Sequence, residues 1–188
     1  MDARINKTQD KIILAFKNLI LKMNYKDIVI EDIIKEAGIV RSTFYRHFKT
    51  KSDVLLAVLK NISAHVFSHV VDEELSHDFS KSSISDYKHF ITHIFYHLHD
   101  EYRLINAILE SEANGFFIDS LKKEVEPFAL ICIKNNFFKI YTLPQDLMLE
   151  SILSNFIVIL KYWNKTGFKT TPETLTEYFI ALNYVAAI

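Results

Sequence analysis

The sequence predicts an all-α protein of about nine helices, with a small N-terminal domain over residues 1–62 joined to a C-terminal helical bundle over 63–188. Three observations carry this. Hydrophobic residues make up 49% of the chain, enough for a packed core and too many for a disordered chain. Gly and Pro number three each in 188 residues, roughly a quarter of average usage. Folds with many tight turns need residues that tolerate positive φ or pre-set φ, so a chain with so little punctuation is mostly helix. Finally, apolar residues recur every three or four positions, the spacing of a helical stripe.

The elements follow in order. Ile12, Ile13, Phe16, Leu19, Ile20 and Met23 form one stripe, giving a helix over about 7–23; Asn24 is placed to take a left-handed C-terminal position. Ile30, Ile33, Ile34 and Ala37 mark a short second helix that Gly38 ends. Phe44 and Phe48 anchor a short third helix over about 41–47. Ser52 reads as the N-cap of a long fourth helix reaching Glu74, with Asp53 at its positive end. Residues 76–84 read as a loop. A fifth helix covers about 85–98 and a sixth about 103–111, and Asn114-Gly115 reads as a break. The seventh covers about 117–138. Pro144 suits the first turn of an eighth helix running to Lys165, with Gly167 after it. Thr171 caps a ninth, with Pro172 and Glu173 in its first turn.

The net charge of −1 hides an asymmetry. Residues 1–62 carry twelve Lys/Arg against seven Asp/Glu, a balance of +5, and the remainder carries −6. A basic head on an acidic body points to a polyanion-binding function at the N-terminal end. The single cysteine, Cys132, fits a reducing compartment. The longest apolar run, Ile152 to Leu160, is far shorter than the roughly 20 residues of a membrane span, and the N-terminus lacks a secretory pattern. The expectation is a soluble, cytoplasmic protein with no membrane partner. Gly-rich phosphate loops, a nucleophile elbow and paired catalytic spacings are not found, so an enzyme is not expected, nor a cofactor.

The most informative stretch is Glu31 to Leu56. A helix of about eight residues, a Gly turn and a second short helix make the helix-turn-helix geometry, whose second helix enters a major groove about 12 Å wide. Between Arg41 and Lys51 the chain places Arg41, Arg46, Lys49, Lys51 and His47 with no acid, and Ser42, Thr43 and Tyr45 add hydroxyls. With Phe44 and Phe48 turned inward, these donors face outward, as phosphate clamping and base reading require.

On Ile33, Ala37-Gly38-Ile39, Ser42-Thr43-Phe44-Tyr45, His47-Phe48, Lys51 and Leu55-Leu56, residues 8–60 resemble the DNA-binding domain of TetR-family transcriptional regulators. The resemblance implies phosphate contacts at Tyr45, His47 and Lys51, and groove contacts at Arg41, Ser42 and Thr43 with Arg46 nearby. It implies a homodimer reading a palindrome-like operator in double-stranded DNA, acting as a repressor that a small effector releases. Two positions depart from the family pattern: Val29 and Val40 stand where Thr or Ser is common, which removes an N-cap hydroxyl and an anion contact. A protein-binding adaptor on the same scaffold stays open on that ground.

Beyond residue 62 the resemblance is to one subgroup whose last two helices pair between subunits. The eighth helix is apolar nearly all round, which requires burial on more than one face, and Phe156, Ile159, Leu160 and Trp163, with Leu175 and Phe179 of the ninth helix, are the expected dimer contacts. Aromatic residues, 13% of the chain, supply an expected effector pocket from Phe90, His93, Phe95, Tyr96, Phe116, Phe117 and Phe137, with Phe128, Phe138 and Tyr141 beside them. His89, His93 and His97, and His65 with His69, stand at i, i+4 spacing, which suits zinc or nickel. No third ligand motif accompanies them, so no metal site is expected, and a metal-responsive regulator is the remaining alternative.

Overall fold

The structure, a computed structural model, describes residues 3–74, 84–137 and 143–183, with side chains described for 7–62, 87–137 and 143–183. His65, His69, Phe138 and Tyr141 lie outside the described side chains. Among the described residues the chain forms nine α-helices and one 3₁₀ turn: α1 (Ala3–Ile20), the turn Tyr25–Asp27, α2 (Ile30–Ala37), α3 (Arg41–His47), α4 (Lys51–Glu74), α5 (Ile84–Asp100), α6 (Tyr102–Leu109), α7 (Asn114–Lys134), α8 (Gln145–Lys165) and α9 (Pro172–Asn183). The chain is all-α, as its sequence predicts. It divides into two compact units, residues 1–62 with 103–120, and residues 63–102 with 121–188.

The first unit, the head, packs α1 against α2, and α2 against α3. Ile12 and Phe16 of α1, Ile28, Ile33 of α2, Phe44 of α3 and Val54 and Leu55 of α4 are fully buried. The stretch joined to it, residues 103–120, adds Ile105, Ile108 and Phe117 as buried residues. Gly38 takes the left-handed conformation at φ 61°, and Ile39 N–H reaches back to Ile34 O at 3.2 Å. That closes α2 in a Schellman-type turn, which a residue with a Cβ enters only under strain.

The second unit, the body, packs α9 against both α5 and α8. Its core is aromatic: Phe95 stacks on Phe156 (ring centroids 5.8 Å), Phe156 meets Phe179 edge-on (6.1 Å), and Trp163 sits edge-on to Phe95 (5.9 Å). Trp163 is fully buried and donates its indole N–H to Thr170 O at 2.8 Å, which satisfies its one polar atom. Thr92 and Thr176 join α5 to α9 through a 2.8 Å hydroxyl contact, and Asn155 donates to Asn183 Oδ1 at 2.9 Å between α8 and α9.

Three local expectations need correction. Asn24 is extended (φ −63°, ψ 144°), because the chain leaves α1 through a short turn and enters the 3₁₀ turn. It is Asn136, after α7, that is left-handed at φ 51°. Asn114-Gly115 opens α7 rather than breaking the chain; Asn114 instead donates to Leu109 O at 2.8 Å, tying the ends of α6 and α7 together. Ser52 does not cap α4. Thr50 does, accepting from Asp53 N–H at 3.1 Å, while Asp53 accepts from Lys49 and Thr50 N–H at 3.0 and 2.9 Å.

Candidate nucleic-acid interface

The interface grows from two buried phenylalanines. Phe44 and Phe48, four apart, turn one face of α3 into the head. The helix is then obliged to present its other face to solvent, where Arg41, Ser42, Tyr45 and Arg46 are exposed and Thr43 and His47 half-buried. Six of the seven expected contact residues therefore share one short helix and largely one face.

The start of each helix bears out the loss of hydroxyl caps. Val29 and Val40 are extended, make no side-chain cap, and stand 50% and 64% exposed. α2 is partly compensated, since Asp32 Oδ2 accepts from Val29 N–H at 2.9 Å. At α3 the corresponding position is Thr43, which carries no carboxylate.

Arg41 is held between two neighbours. Its Nη1 donates to Glu31 Oε1 at 2.7 Å, and its guanidinium lies 5.7 Å from the centre of the Tyr45 ring. A side-chain hydrogen bond with Tyr45, then the Glu31 charge, hold its pKa above the ordinary value.

Lys51, the seventh residue, is differently occupied. Its ammonium donates to Tyr25 O at 2.7 Å, Ile28 O at 2.9 Å and Lys26 O at 3.2 Å, and lies 4.4 Å from the Tyr25 ring centre. A lysine has three N–H donors, so all three point into the head. Tyr25 OH meets Ser52 Oγ at 2.9 Å. Together these bonds tie the 3₁₀ turn, which leads into α2, to the first turn of α4. Sequence reasoning missed Tyr25, Ser52 and Glu31 in these roles, because partners 10, 26 and 27 residues apart on different elements leave no periodic signal.

A family pattern described as "Bacterial regulatory proteins, tetR family" matches residues 12–58. A second, "Transcriptional regulator C-terminal region", matches residues 85–183, more than half of the chain. The chain belongs to the TetR family of transcriptional regulators. An HTH-type transcriptional regulator of Lactococcus lactis is 30% identical over 91 residues, 48% of this chain and 45% of that protein. YxbF of Bacillus subtilis, also described as HTH-type, is 28% identical over 81 residues, 43% of this chain and 21% of that protein. The matched segments thus span less than half the length of either curated relative. A solved TetR regulator from Streptococcus agalactiae is 26% identical with a TM-score of 0.76, covering 98% of this chain and 97% of that one.

In this TetR-family chain the residues expected at a dimer interface are placed elsewhere. Phe156, Ile159, Leu160, Trp163, Leu175 and Phe179 are all buried within the protomer, because α5 and α9 already cover that stripe. Besides Leu147 at the start of α8, the large apolar side chains left exposed on α8 and α9 are Val158, Tyr162, Tyr178 and Leu182, each 41–54% exposed. With Ile159 and Ala181 these line a shallow apolar groove of about 440 Å³. α8 is apolar nearly all round, and one of its stripes is buried within the protomer while another stays open.

The expected effector set is dispersed. Phe90 packs on Phe128 (4.6 Å), Phe95 on Phe156, and Phe137 on Tyr87 (4.5 Å). Tyr96 is exposed and bonded to Glu173, with its pKa raised first by that hydrogen bond. Phe116 and Phe117 belong to the head unit, Phe117 buried and Phe116 exposed. His93 and His97 bring their Nε2 atoms to 3.1 Å, yet no group of three or more His, Cys, Asp or Glu that could hold a metal occurs among the described residues. Nor is any helix of the described residues long and apolar enough to cross a membrane.

Proposed function

We propose that this TetR-family regulator is a homodimeric repressor whose two α3 helices read a palindromic operator, and that a small effector releases it. The observation that carries the reading is α3 itself: a short helix anchored by Phe44 and Phe48 that offers Arg41, Ser42, Tyr45 and Arg46 outward. Arg41, Ser42 and Thr43 are assigned to base edges, and Tyr45, Arg46 and His47 to phosphates and the groove walls. Lys51 is assigned to the fold of the head, since its donors are spent on backbone carbonyls.

Dimerisation through α8 and α9 is supported by the open strip of Val158, Tyr162, Tyr178 and Leu182. Self-pairing of one such patch gives the two-fold symmetry a palindrome needs. An effector that binds the two spacings of the α3 helices unequally shifts the equilibrium by its differential affinity.

The test is binding to DNA from upstream of the chain's own gene at several salt concentrations. Sequence-specific binding whose log K falls with log salt by about 0.9 per phosphate contacted supports the reading. Weak, sequence-independent binding sinks it. Tyr162→Glu is expected to convert the dimer to monomer in sedimentation analysis and to abolish tight operator binding. A dimer that survives this change uses another face.

A second reading, an adaptor that binds protein instead of DNA, is favoured by exposed Val29 and Val40 at the two helix starts. The same salt titration separates them, because apolar docking carries no steep salt slope.

A further inference from the structure

The head holds an exposed acid whose place in the first turn of α2 suits the helix dipole but does not by itself explain its contact with Arg41. Glu31 lies in the first turn of α2, is exposed, and accepts from Arg41 Nη1 at 2.7 Å. Neighbouring acids have evident work: Asp32 takes Val29 N–H, Glu36 takes Lys22 and Asn18, and Asp53 takes the amides before α4. Glu31 instead spends its charge on the residue at the start of the reading helix. An exposed ion pair stabilises little, and a carboxylate beside a phosphate backbone opposes binding.

What the pair does supply is orientation. A guanidinium is a rigid planar fork with five N–H donors. Glu31 fixes one donor, and the Tyr45 ring flanks the group on another side. The backbone at each partner is anchored, because Ile33 and Phe44, their near neighbours in sequence, are fully buried. An arginine without such a partner turns to the nearest phosphate, which adds affinity and no sequence information. One held in place keeps free donors for a base edge, and the base that accepts a bidentate fork in the major groove is guanine, through O6 and N7.

We propose that Glu31 is a specificity-determining positioning residue that holds Arg41 for reading guanine. This rests on the DNA-reading function above. The test begins by selecting the preferred operator of the full chain from a random DNA library. Binding is then measured for the parent protein, Arg41→Ala, Glu31→Ala and the double variant, on that operator and on operators carrying each other base at every guanine.

The expected result is that Arg41→Ala loses discrimination at one guanine per half-site. Glu31→Ala lowers discrimination at that same guanine at least fivefold, binds random DNA more tightly, and leaves preferences elsewhere unchanged. In the Arg41→Ala background, Glu31→Ala changes no base preference. If Glu31→Ala tightens binding to all sequences alike with the guanine preference intact, the residue is only a repulsive charge and the proposal fails. It fails equally if Glu31→Ala alters discrimination at a different base pair. A parent protein that selects no operator overturns the DNA-reading function itself. One that selects an operator without an Arg41-dependent guanine overturns this inference alone.

Discussion

The head and the body solve the same problem, burying the apolar stripes of their helices, with a different balance of means. The head fixes its helices with a few polar ties between distant parts of the chain: Lys51 to the carbonyls of residues 25, 26 and 28, Tyr25 to Ser52, and the Thr50–Asp53 cap. The body has polar ties of its own, Thr92 to Thr176 and Asn155 to Asn183, but interlocks aromatic rings around them, with Trp163 at the centre of Phe95, His99 and Phe168. Ties of the first kind set orientation and leave a surface open. Ring packing fills volume. A surface that must present donors at fixed places is better served by the first, which is why the outward-facing chemistry of this chain is concentrated in its head.

The contrast can be broken by mutation. Phe44→Ala has the largest expected effect, a loss of about 3–5 kcal/mol by cavity formation. It removes the anchor of α3, so operator binding is lost together with head stability in urea unfolding. Lys51→Met follows. Three carbonyls lose a charged donor, and since hydrogen bonds to charged groups are worth about 1.5–3 kcal/mol, a loss of about 2–3 kcal/mol is expected. A thermal melt left unchanged, with a salt slope lower by about one phosphate, shows Lys51 to be a phosphate clamp instead.

Thr50→Ala is smaller, about 1 kcal/mol for a lost N-cap. Its partner Asp53 adds a pH signature. The amides of Thr50 and Lys49 hold the carboxyl below the ordinary aspartate range. A depressed native pKa means that its contribution is complete above the unfolded value, about 3.9, and fades as pH falls through the native one. Asp53→Asn is expected to flatten the acid limb of a stability–pH curve below about pH 4 and leave the neutral region less changed in slope. Last, Val40→Ser restores a cap hydroxyl at α3. It is expected to raise the melting temperature by an amount matching about 0.5–1 kcal/mol and to tighten binding to all DNA sequences alike.

How much could be read beforehand follows the same division. Gly38, Phe44 and Phe48 stand within eleven residues of one another, so local periodicity places the turn, the buried face and hence the exposed donors of α3. The cap of α4 was off by two residues because Thr50 and Ser52 are equal candidates by type. Only Asp53, three residues after Thr50, marks the reciprocal pattern. Lys51 was legible as a cation and illegible as a tie, since a carbonyl partner carries no residue signature. In the body, Phe156 and Trp163 were recognisably buried, but what buries them depends on α5 and α9, and no periodicity within α8 ranks its own chain above a second copy. The stripe of Val158 and Tyr162 is what remains once those neighbours are in place.

The chain has a single tryptophan, and it is fully buried in the body with its N–H bonded to Thr170 O. Its emission therefore reports on one unit alone. Unfolding followed at tryptophan wavelengths tracks the body, while backbone circular dichroism sees both units. Two transitions that coincide by these probes mean one cooperative molecule. If they separate, the DNA-reading unit melts on its own schedule, and the protein carries the instrument for detecting it without a label.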